Sequence, residues 1–195
     1  MSFSELVGFY PEWNFALFEW INRTTANAFF DVLMPAVRNK YFWAPLYVFL
    51  TTYLLINHKL KGFYVLLLVG LSFALANSVS AEILKPIFKI DRPCNDPVFQ
   101  HHIELRVHCG PGKSFPSTHA TNHFAIAVCL GLLLWRRWKW PSKLLLFWAF
   151  LVSYAQVYVG VHYPLDVMMG AILGSLIGIA CALGWRKAKF LVVEE

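Results

Sequence analysis

The sequence predicts an all-α fold, a polytopic membrane helical bundle with about six transmembrane helices in a single domain over residues 1–195. Of the 195 residues, 58% are hydrophobic and only 14% are charged, and the mean hydropathy is +0.52. Soluble domains average about 45–50% apolar residues, so lipid is the expected solvent for much of this chain. The lengths of the apolar segments and the placement of the basic residues point the same way.

Four apolar segments are long enough, or nearly so, to cross about 30 Å of hydrocarbon at about 1.5 Å per helical residue. They are residues 62–84, 117–135, 144–162 and 164–185. Segments 24–39 and 43–57 are weaker predictions, because the first carries Asp31, Pro35 and Arg38 and the second is short. The first twenty or so residues mix aromatic and charged side chains, which favours an interfacial helix over a cleaved signal peptide.

The positions of lysine and arginine predict how the bundle is oriented in the membrane, because short cytoplasmic loops are enriched in these residues. If the spans alternate, one side, the predicted cytoplasmic side, holds Lys59, Lys61, Arg136, Arg137, Lys139, Lys143, Arg186, Lys187 and Lys189. The long loop 86–116 and the turn at His162 then lie on the outer face. The net charge of +6 thus reflects membrane-flanking residues, which predicts the lipid bilayer as partner and no nucleic acid.

Two of the four cysteines, Cys94 and Cys109, lie in the long outer loop. If that face is oxidising, they can form a disulfide that closes the loop. Whether they do depends on the distance between the two residues, which the sequence leaves open. Cys129 and Cys181 lie inside apolar segments, where a cysteine serves as a small packing residue.

Three polar clusters interrupt the apolar chain on the predicted outer face, at residues 85–93, 116–119 and 162–166. Their side chains include two histidines, the carboxylate of Asp166, the spaced cations Lys85 and Arg92 and the hydroxyl of Ser117. This is the inventory needed to transfer a phosphoryl group through a histidine intermediate.

Lys85 and Arg92 in the first cluster are seven residues apart, which is about two helical turns, but Pro86 and Pro93 argue against a continuous helix between them. Both stand where a span leaves the membrane, and a phosphate dianion would attract both. The alternative is ordinary snorkelling of long cations at a membrane interface, which is the interpretation for Lys89 and Arg106.

The second cluster, Pro116 to His119, opens a predicted span. A helix N-terminus offers free backbone N–H groups to an oxyanion, Ser117 adds a hydroxyl, and His119 is placed to protonate a leaving oxygen. The alternative is a plain helix cap at Ser117 or Thr118 with an incidental histidine.

In the third cluster His162 precedes Pro164, and Asp166 falls in the first turn of the helix that this proline begins. A carboxylate that holds one imidazole nitrogen leaves the other free to attack phosphorus. A structural cap is the alternative role for Asp166. Ionisable residues beside membrane spans are costly, which favours a functional role for the group.

A metal site is the competing interpretation of the histidines. His119 and His123 are four residues apart, and the outer loop holds His101, His102 and His108. Their spacing matches no ligand pattern such as H-E-x-x-H or C-x-x-C, so we predict no metal and no cofactor.

The motifs K-x6-R-P from Lys85, P-S-x-H from Pro116 and H-x3-D from His162 stand in an order that resembles the type 2 phosphatidic acid phosphatase family of membrane lipid phosphatases. The resemblance covers about the C-terminal two-thirds of the chain. It implies metal-independent hydrolysis of a lipid phosphate or diphosphate at the outer surface. The chain is most similar to bacterial polyprenyl diphosphatases, which implies the bacterial inner membrane as its location.

The resemblance also implies roles for individual residues. His162 resembles the nucleophile that forms phosphohistidine, Asp166 its orienting partner, and His119 the acid that protonates the leaving group and later activates water. The implied phosphate cradle comprises Lys85, Arg92, Ser117 and the backbone N–H groups near Thr118.

The chain departs from the family pattern at two places. The family's third motif usually begins Ser-Arg, but these positions are Ala155 and Gln156, so one phosphate-binding cation is missing. Lys89 or Lys113 is a candidate to supply that charge. Thr118 stands where glycine is usual and keeps its backbone N–H.

The resemblance makes hydrolysis of polyprenyl diphosphate the favoured function. The alternative substrates are a lipid A-type phosphate, phosphatidylglycerophosphate and phosphatidic acid. Two further hypotheses are transfer of the phosphoryl group to another lipid headgroup, and lipid binding or transport without turnover because of Gln156. The oligomeric state is left open.

Overall fold

A computed structural model describes residues 8–97, 99–134 and 139–187. The predicted all-α fold is confirmed, because every regular element in these ranges is helical. Of the basic residues used to orient the bundle, Arg136, Arg137 and Lys189 lie outside the described residues, as do the side chains of Lys139, Arg186 and Lys187.

Seven α-helices are described, here numbered in chain order. They are α1 (Glu12–Glu19), α2 (Ala28–Arg38), α3 (Ala44–Asn77), α4 (Lys85–Phe88), α5 (Thr118–Leu134), α6 (Lys139–Tyr158) and α7 (Pro164–Lys187). A π-helical segment, Trp20–Thr24, extends α1, and a second, Ser78–Leu84, joins α3 to α4.

Helix α3 reverses direction at Lys59, where φ is 49° and ψ is −124°. The two legs, 44–58 and 60–77, pack so closely beside the reversal that a Cβ on Gly62 would lie 2.0 Å from the carbonyl oxygen of Leu54. Only glycine fits there. The reversal separates the two spans that the sequence predicted at 43–57 and 62–84.

The six predicted spans correspond to six helices: α2, the two legs of α3, α5, α6 and α7. Within the described ranges, two stretches are long and apolar enough to cross a membrane, Ala44–Asn95 and Pro164–Trp185, and the apolar Thr118–Leu134 is shorter. Helix α2 has 11 residues and is about 16 Å long, too short to cross alone.

Large apolar side chains cover the outside of the bundle. Exposed examples on α3, α6 and α7 include Val48, Phe49, Ile56, Leu60, Leu67, Phe147, Phe150, Ile172 and Leu176. A continuous apolar surface of this kind is typical of contact with a membrane.

A row of glycines on α7 lets it lie directly against α5. A Cβ on Gly170, Gly174 or Gly178 would come within 2.6, 2.1 and 2.7 Å, respectively, of backbone oxygens on Ser117, Thr121 and Ala125. Small residues at a spacing of four allow two membrane helices to approach this closely. The contact holds the N-terminal ends of α5 and α7 side by side.

Arg106 ties the outer loop to the bundle. Its side chain is only 9% exposed and pairs with Asp31 and Glu104, the latter at 2.7 Å. It also donates to the carbonyl oxygens of Asn22 at 2.9 Å and Tyr158 at 3.1 Å. The interpretation of Arg106 as an ordinary interfacial cation is therefore wrong, because its charge is buried and fully engaged.

A disulfide joins Cys94 and Cys109, whose Cα atoms are 6.0 Å apart. Close to it, Asn95 Nδ2 donates to the carbonyl of Gly110 at 3.0 Å, and the Ser114 N–H donates to the carbonyl of Ile90 at 2.7 Å. The two arms of the loop are thus held together directly beside the first two polar clusters.

The double variant Cys94→Ser/Cys109→Ser is expected to unfold at a lower temperature, since a loop of this length gains about 3 kcal/mol from its cross-link. Thermal midpoints in detergent, with and without dithiothreitol, measure the effect. Reductant should lower the wild-type midpoint and leave the double variant unchanged. Cys181→Ser, which removes an unbonded thiol, is the control. A wild-type midpoint insensitive to reductant would contradict the cross-link.

Candidate active site

The three polar clusters meet at one end of the bundle. Helix α6 ends at Tyr158, and Gly160, with φ of +86°, makes the turn that leads to His162. Helix α7 starts at Pro164, and Asn14 Oδ1 caps it by accepting from the Leu165 N–H at 2.8 Å. This turn fixes where His162 stands.

The His162 ring is held through one nitrogen. Its Nδ1 lies 3.4 Å from Asp166 Oδ2 and 3.2 Å from Ser114 Oγ, and the residue is 1% exposed. With the carboxylate as acceptor, Nδ1 carries the proton. Nε2 then carries the lone pair, which is the arrangement an attacking imidazole requires.

Asp166 is completely buried and accepts several hydrogen bonds. The donors besides His162 are the hydroxyls of Tyr10 and Ser114 and the backbone N–H of Tyr163, the last at 2.8 Å. This many donors hold the carboxylate in one orientation. Sequence reasoning missed Tyr10 and Ser114, which belong to no motif and reach Asp166 only through the folded chain.

The environment of His162 keeps its ring neutral. Burial lowers the pKa of His162 well below its ordinary value, and the positive charges of Lys85, Arg92 and Arg38 lower it further. A neutral imidazole retains the lone pair that a nucleophile needs.

Backbone carbonyls of the outer loop hold Lys85 and Arg92 near the site. The helix ends at Phe88 and Lys89 turns left-handed with φ of 53°, so the two cations do not share a helical face. Lys85 Nζ donates to the Lys113 carbonyl, and Arg92 Nε donates to the Gly112 carbonyl at 2.8 Å. Both cations interact electrostatically with Asp166.

The two lysines considered as replacements for the missing arginine are placed differently. Lys113 Nζ pairs with Asp91 at 2.6 Å. Lys89 is exposed, and no hydrogen bond or ion pair joins its side chain to the site within the described part of the chain. Gln156 is fully buried, and its Nε2 donates at 3.5 Å to the carbonyl of Val152 on its own helix.

The second cluster contributes unpaired hydroxyls and a second histidine. Ser117 Oγ and Thr118 Oγ1 are buried without a hydrogen-bond partner among the described residues. The Ser117 N–H donates to the Asp166 carbonyl at 3.0 Å, which joins the second and third clusters. His119 lies close enough to His162 for charges on the two rings to interact.

The remaining histidines do not gather into a ligand set. The rings of His119 and His123 are stacked with centroids 6.4 Å apart. His101, His102 and His108 are exposed on the loop. Among the described residues, no three His, Cys, Asp or Glu side chains form a group that could hold a metal ion.

Comparison with known proteins gives the family. The PAP2 superfamily pattern matches residues 63–190, so the chain belongs to the PAP2 superfamily. It is 33% identical to a lipid A 4'-phosphatase of Bacteroides thetaiotaomicron, over 77% of this chain and 67% of that protein. It is 34% identical to an undecaprenyl-diphosphatase of Sulfolobus acidocaldarius, over 84% of this chain and 74% of that protein.

A solved structure agrees with these relatives. The crystal structure of Aquifex aeolicus LpxE superposes with a TM-score of 0.64 at 29% identity, covering 87% of this chain and 94% of that one. The predicted family is confirmed, and with it the predicted class of enzyme, a membrane lipid phosphatase.

Proposed function

We propose that this protein hydrolyses a lipid phosphate or diphosphate through a phosphohistidine formed on His162, and that polyprenyl diphosphate is its substrate. The observation that carries the proposal is the buried His162–Asp166 pair, with Nδ1 held 3.4 Å from the carboxylate and Lys85 and Arg92 nearby. A site that only binds lipid has no need of an oriented imidazole.

In the first step Nε2 of His162 attacks phosphorus, and the bond from phosphorus to the leaving oxygen breaks. His119 donates a proton to that oxygen, so a lipid alcohol leaves from a monophosphate, or a lipid monophosphate leaves from a diphosphate. In the second step a water oxygen attacks phosphorus, the bond from phosphorus to Nε2 breaks, and His119 accepts a proton from the water. Inorganic phosphate then departs, and His162 is restored.

The phosphate cradle is proposed to consist of Lys85, Arg92, Ser117 and Thr118. The unpaired hydroxyls of Ser117 and Thr118 support it, because a buried hydroxyl without a partner is costly and a phosphate oxygen would satisfy it. Positioning and charge stabilisation supply most of the catalysis in phosphoryl transfer, and these groups need no metal or cofactor to provide them.

The site is proposed to face the extracytoplasmic side of a bacterial inner membrane. Connectivity supports this, since the start of α5, the end of α6 and the start of α7 lie at the site. Lys59, at the reversal in α3, and Lys143, near the start of α6, lie toward the far ends of their helices. Basic residues at the far end favour the cytoplasm there.

A second substrate class is a lipid A-type phosphate. The similarity to the Bacteroides thetaiotaomicron lipid A 4'-phosphatase supports it. The two classes are separated by their products, a lipid monophosphate in one case and a dephosphorylated glycolipid in the other.

Phosphate release by the purified protein in detergent with EDTA tests the proposal against polyprenyl diphosphate, phosphatidic acid, phosphatidylglycerophosphate and a lipid A-type phosphate. We expect release that survives chelation and is fastest with polyprenyl diphosphate. Preference for the glycolipid would support the second class. Loss of release on chelation, restored by added metal, would contradict the metal-independent mechanism.

A further inference from the structure

Arg38, the last residue of α2, belongs to none of the three motifs. It is half-buried, and no carboxylate pairs with it in the described part of the chain. It lies close enough to Arg92, His119 and His162 for its charge to act on all three. A cation in this position is expected to have an anionic partner, because burial without one is costly.

The packing of α2 explains why Arg38 reaches the site. In the first turn of α2, Asp31 accepts from the Tyr158 hydroxyl at 2.7 Å, and just beyond its other end, in the turn before α3, the ring of Trp43 lies 5.9 Å from that of Trp148. Helix α2 therefore runs antiparallel to α6. At about 1.5 Å per residue, Arg38 falls at roughly the level of residue 152 on α6.

A chain of contacts anchors this end of α2. Trp43 Nε1 donates to the carbonyl of Val37 at 2.6 Å, and Trp148 connects Trp43 to His123, whose ring lies 4.7 Å away. His123 Nδ1 in turn donates to the His119 carbonyl at 2.8 Å. The backbone beside Arg38 is thus linked by direct contacts to the helix that carries His119.

The side chain of Gln156 points toward the level of residue 152 on α6, which is also the level of Arg38. Its Nε2 contacts the Val152 carbonyl, one turn back along α6, because helical side chains lean toward the N-terminus of their helix. An arginine at position 156 would extend in that direction. Arg38 approaches this region from α2, while Lys113 is paired with Asp91.

The local charge balance fits a dianion. Arg38, Lys85 and Arg92 bring three positive charges and Asp166 brings one negative charge, so two positive charges are left uncompensated. A phosphate group carrying two negative charges would neutralise them.

We propose that Arg38 is a phosphate-binding residue that replaces, from a different helix, the cation that this chain lacks at Gln156. The inference rests on the proposed function, since it names a further ligand of the same phosphate. Arg38 holds and stabilises the phosphoryl group and takes no part in proton transfer.

Arg38→Gln is expected to lower kcat/KM about 10- to 100-fold and to raise the inhibition constant of inorganic phosphate, because one charge-assisted contact is lost. Arg38→Lys should fall between it and the wild type, since lysine keeps the charge and loses the two-pronged geometry. Lys40→Gln, an exposed cation two residues away, is the matched control. Equal thermal midpoints establish that the variants are folded.

The decisive variant moves the charge back. Arg38→Gln/Gln156→Arg should recover at least part of the lost kcat/KM and phosphate affinity, a rescue that a merely structural role of Arg38 would not produce. A folded Arg38→Gln variant within twofold of the wild type in both quantities would overturn the inference.

The effect of inorganic phosphate on the thermal midpoint tests the role of Arg38 independently of lipid hydrolysis. If phosphate raises the wild-type thermal midpoint and Arg38→Gln abolishes the rise, Arg38 binds phosphate even where every lipid in the panel is left unhydrolysed. If the wild type hydrolyses lipid and Arg38→Gln changes neither activity nor the phosphate effect, the proposed function stands and the role of Arg38 fails.

Discussion

Replacement of His162 by alanine is expected to lower phosphate release by at least ~10³-fold, which is the scale of losses seen when a covalent nucleophile is removed. The reason is the way the ring is held: Nδ1 contacts Asp166 and Ser114, which leaves Nε2 as the reactive nitrogen. No neighbouring group replaces it, since His119 is assigned to proton transfer. Initial rates in detergent with EDTA measure the effect.

Because His162 is fully buried, its truncation also leaves a cavity, and folding must be measured separately from activity. His162→Gln fills more of that space and should be equally inactive. His101→Ala removes an exposed loop histidine and should retain full activity. An active His162→Ala variant with a normal thermal midpoint would exclude His162 as the nucleophile.

Asp166→Asn is expected to lower kcat by on the order of 10³-fold or more, comparable with the same change in other imidazole–carboxylate pairs. The asparagine amide can donate to Nδ1, which would move the ring proton to Nε2 and block its lone pair. The shape of the side chain is kept, so the fold should survive. A rate within tenfold of the wild type would contradict the orienting role.

Variants that remove a single hydrogen-bond donor to Asp166 are expected to lower kcat by a smaller amount. Tyr10→Phe removes a donor to the carboxylate and leaves the His162 contact intact, whereas Ser114→Ala removes a contact to both. Losses of about tenfold are expected for each, since a typical hydrogen bond contributes about 0.5–1.5 kcal/mol. Neither variant should change the metal independence of the reaction.

The sequence predicted the all-α membrane fold and the family, because both depend on features that are local in the chain. The spans follow from apolar segment length, and the three motifs each lie within a few residues. The reversal at Lys59 separates two segments that had already been predicted as distinct spans.

Residues outside the motifs could not be predicted in the same way. Tyr10 and Ser114 reach Asp166, and Arg38 reaches the site, only because α1, the outer loop and α2 pack against the end of the bundle. In the sequence, the charge of Arg38 only made residues 24–39 a weaker prediction of a membrane span. Its position depends on the register of α2 along α6, which no local pattern encodes.

The relation between the cations was also beyond local reasoning. Pro86 and Pro93 argue against a continuous helix from Lys85 to Arg92, and the helix does end at Phe88, before the left-handed Lys89. Backbone carbonyls of Gly112 and Lys113, held near the disulfide-closed loop, orient the two side chains instead. Contacts between distant parts of the chain thus position Lys85 and Arg92.

The most direct test of the account is to trap the phosphoenzyme. Protein incubated with substrate carrying a radiolabelled terminal phosphate is quenched in alkaline detergent, which preserves phosphohistidine, and the labelled peptide is identified by mass spectrometry. We predict an acid-labile label on His162 in the wild type and no label in His162→Ala. A label on any other residue, or phosphate release that persists undiminished in the folded His162→Ala variant, would contradict the account.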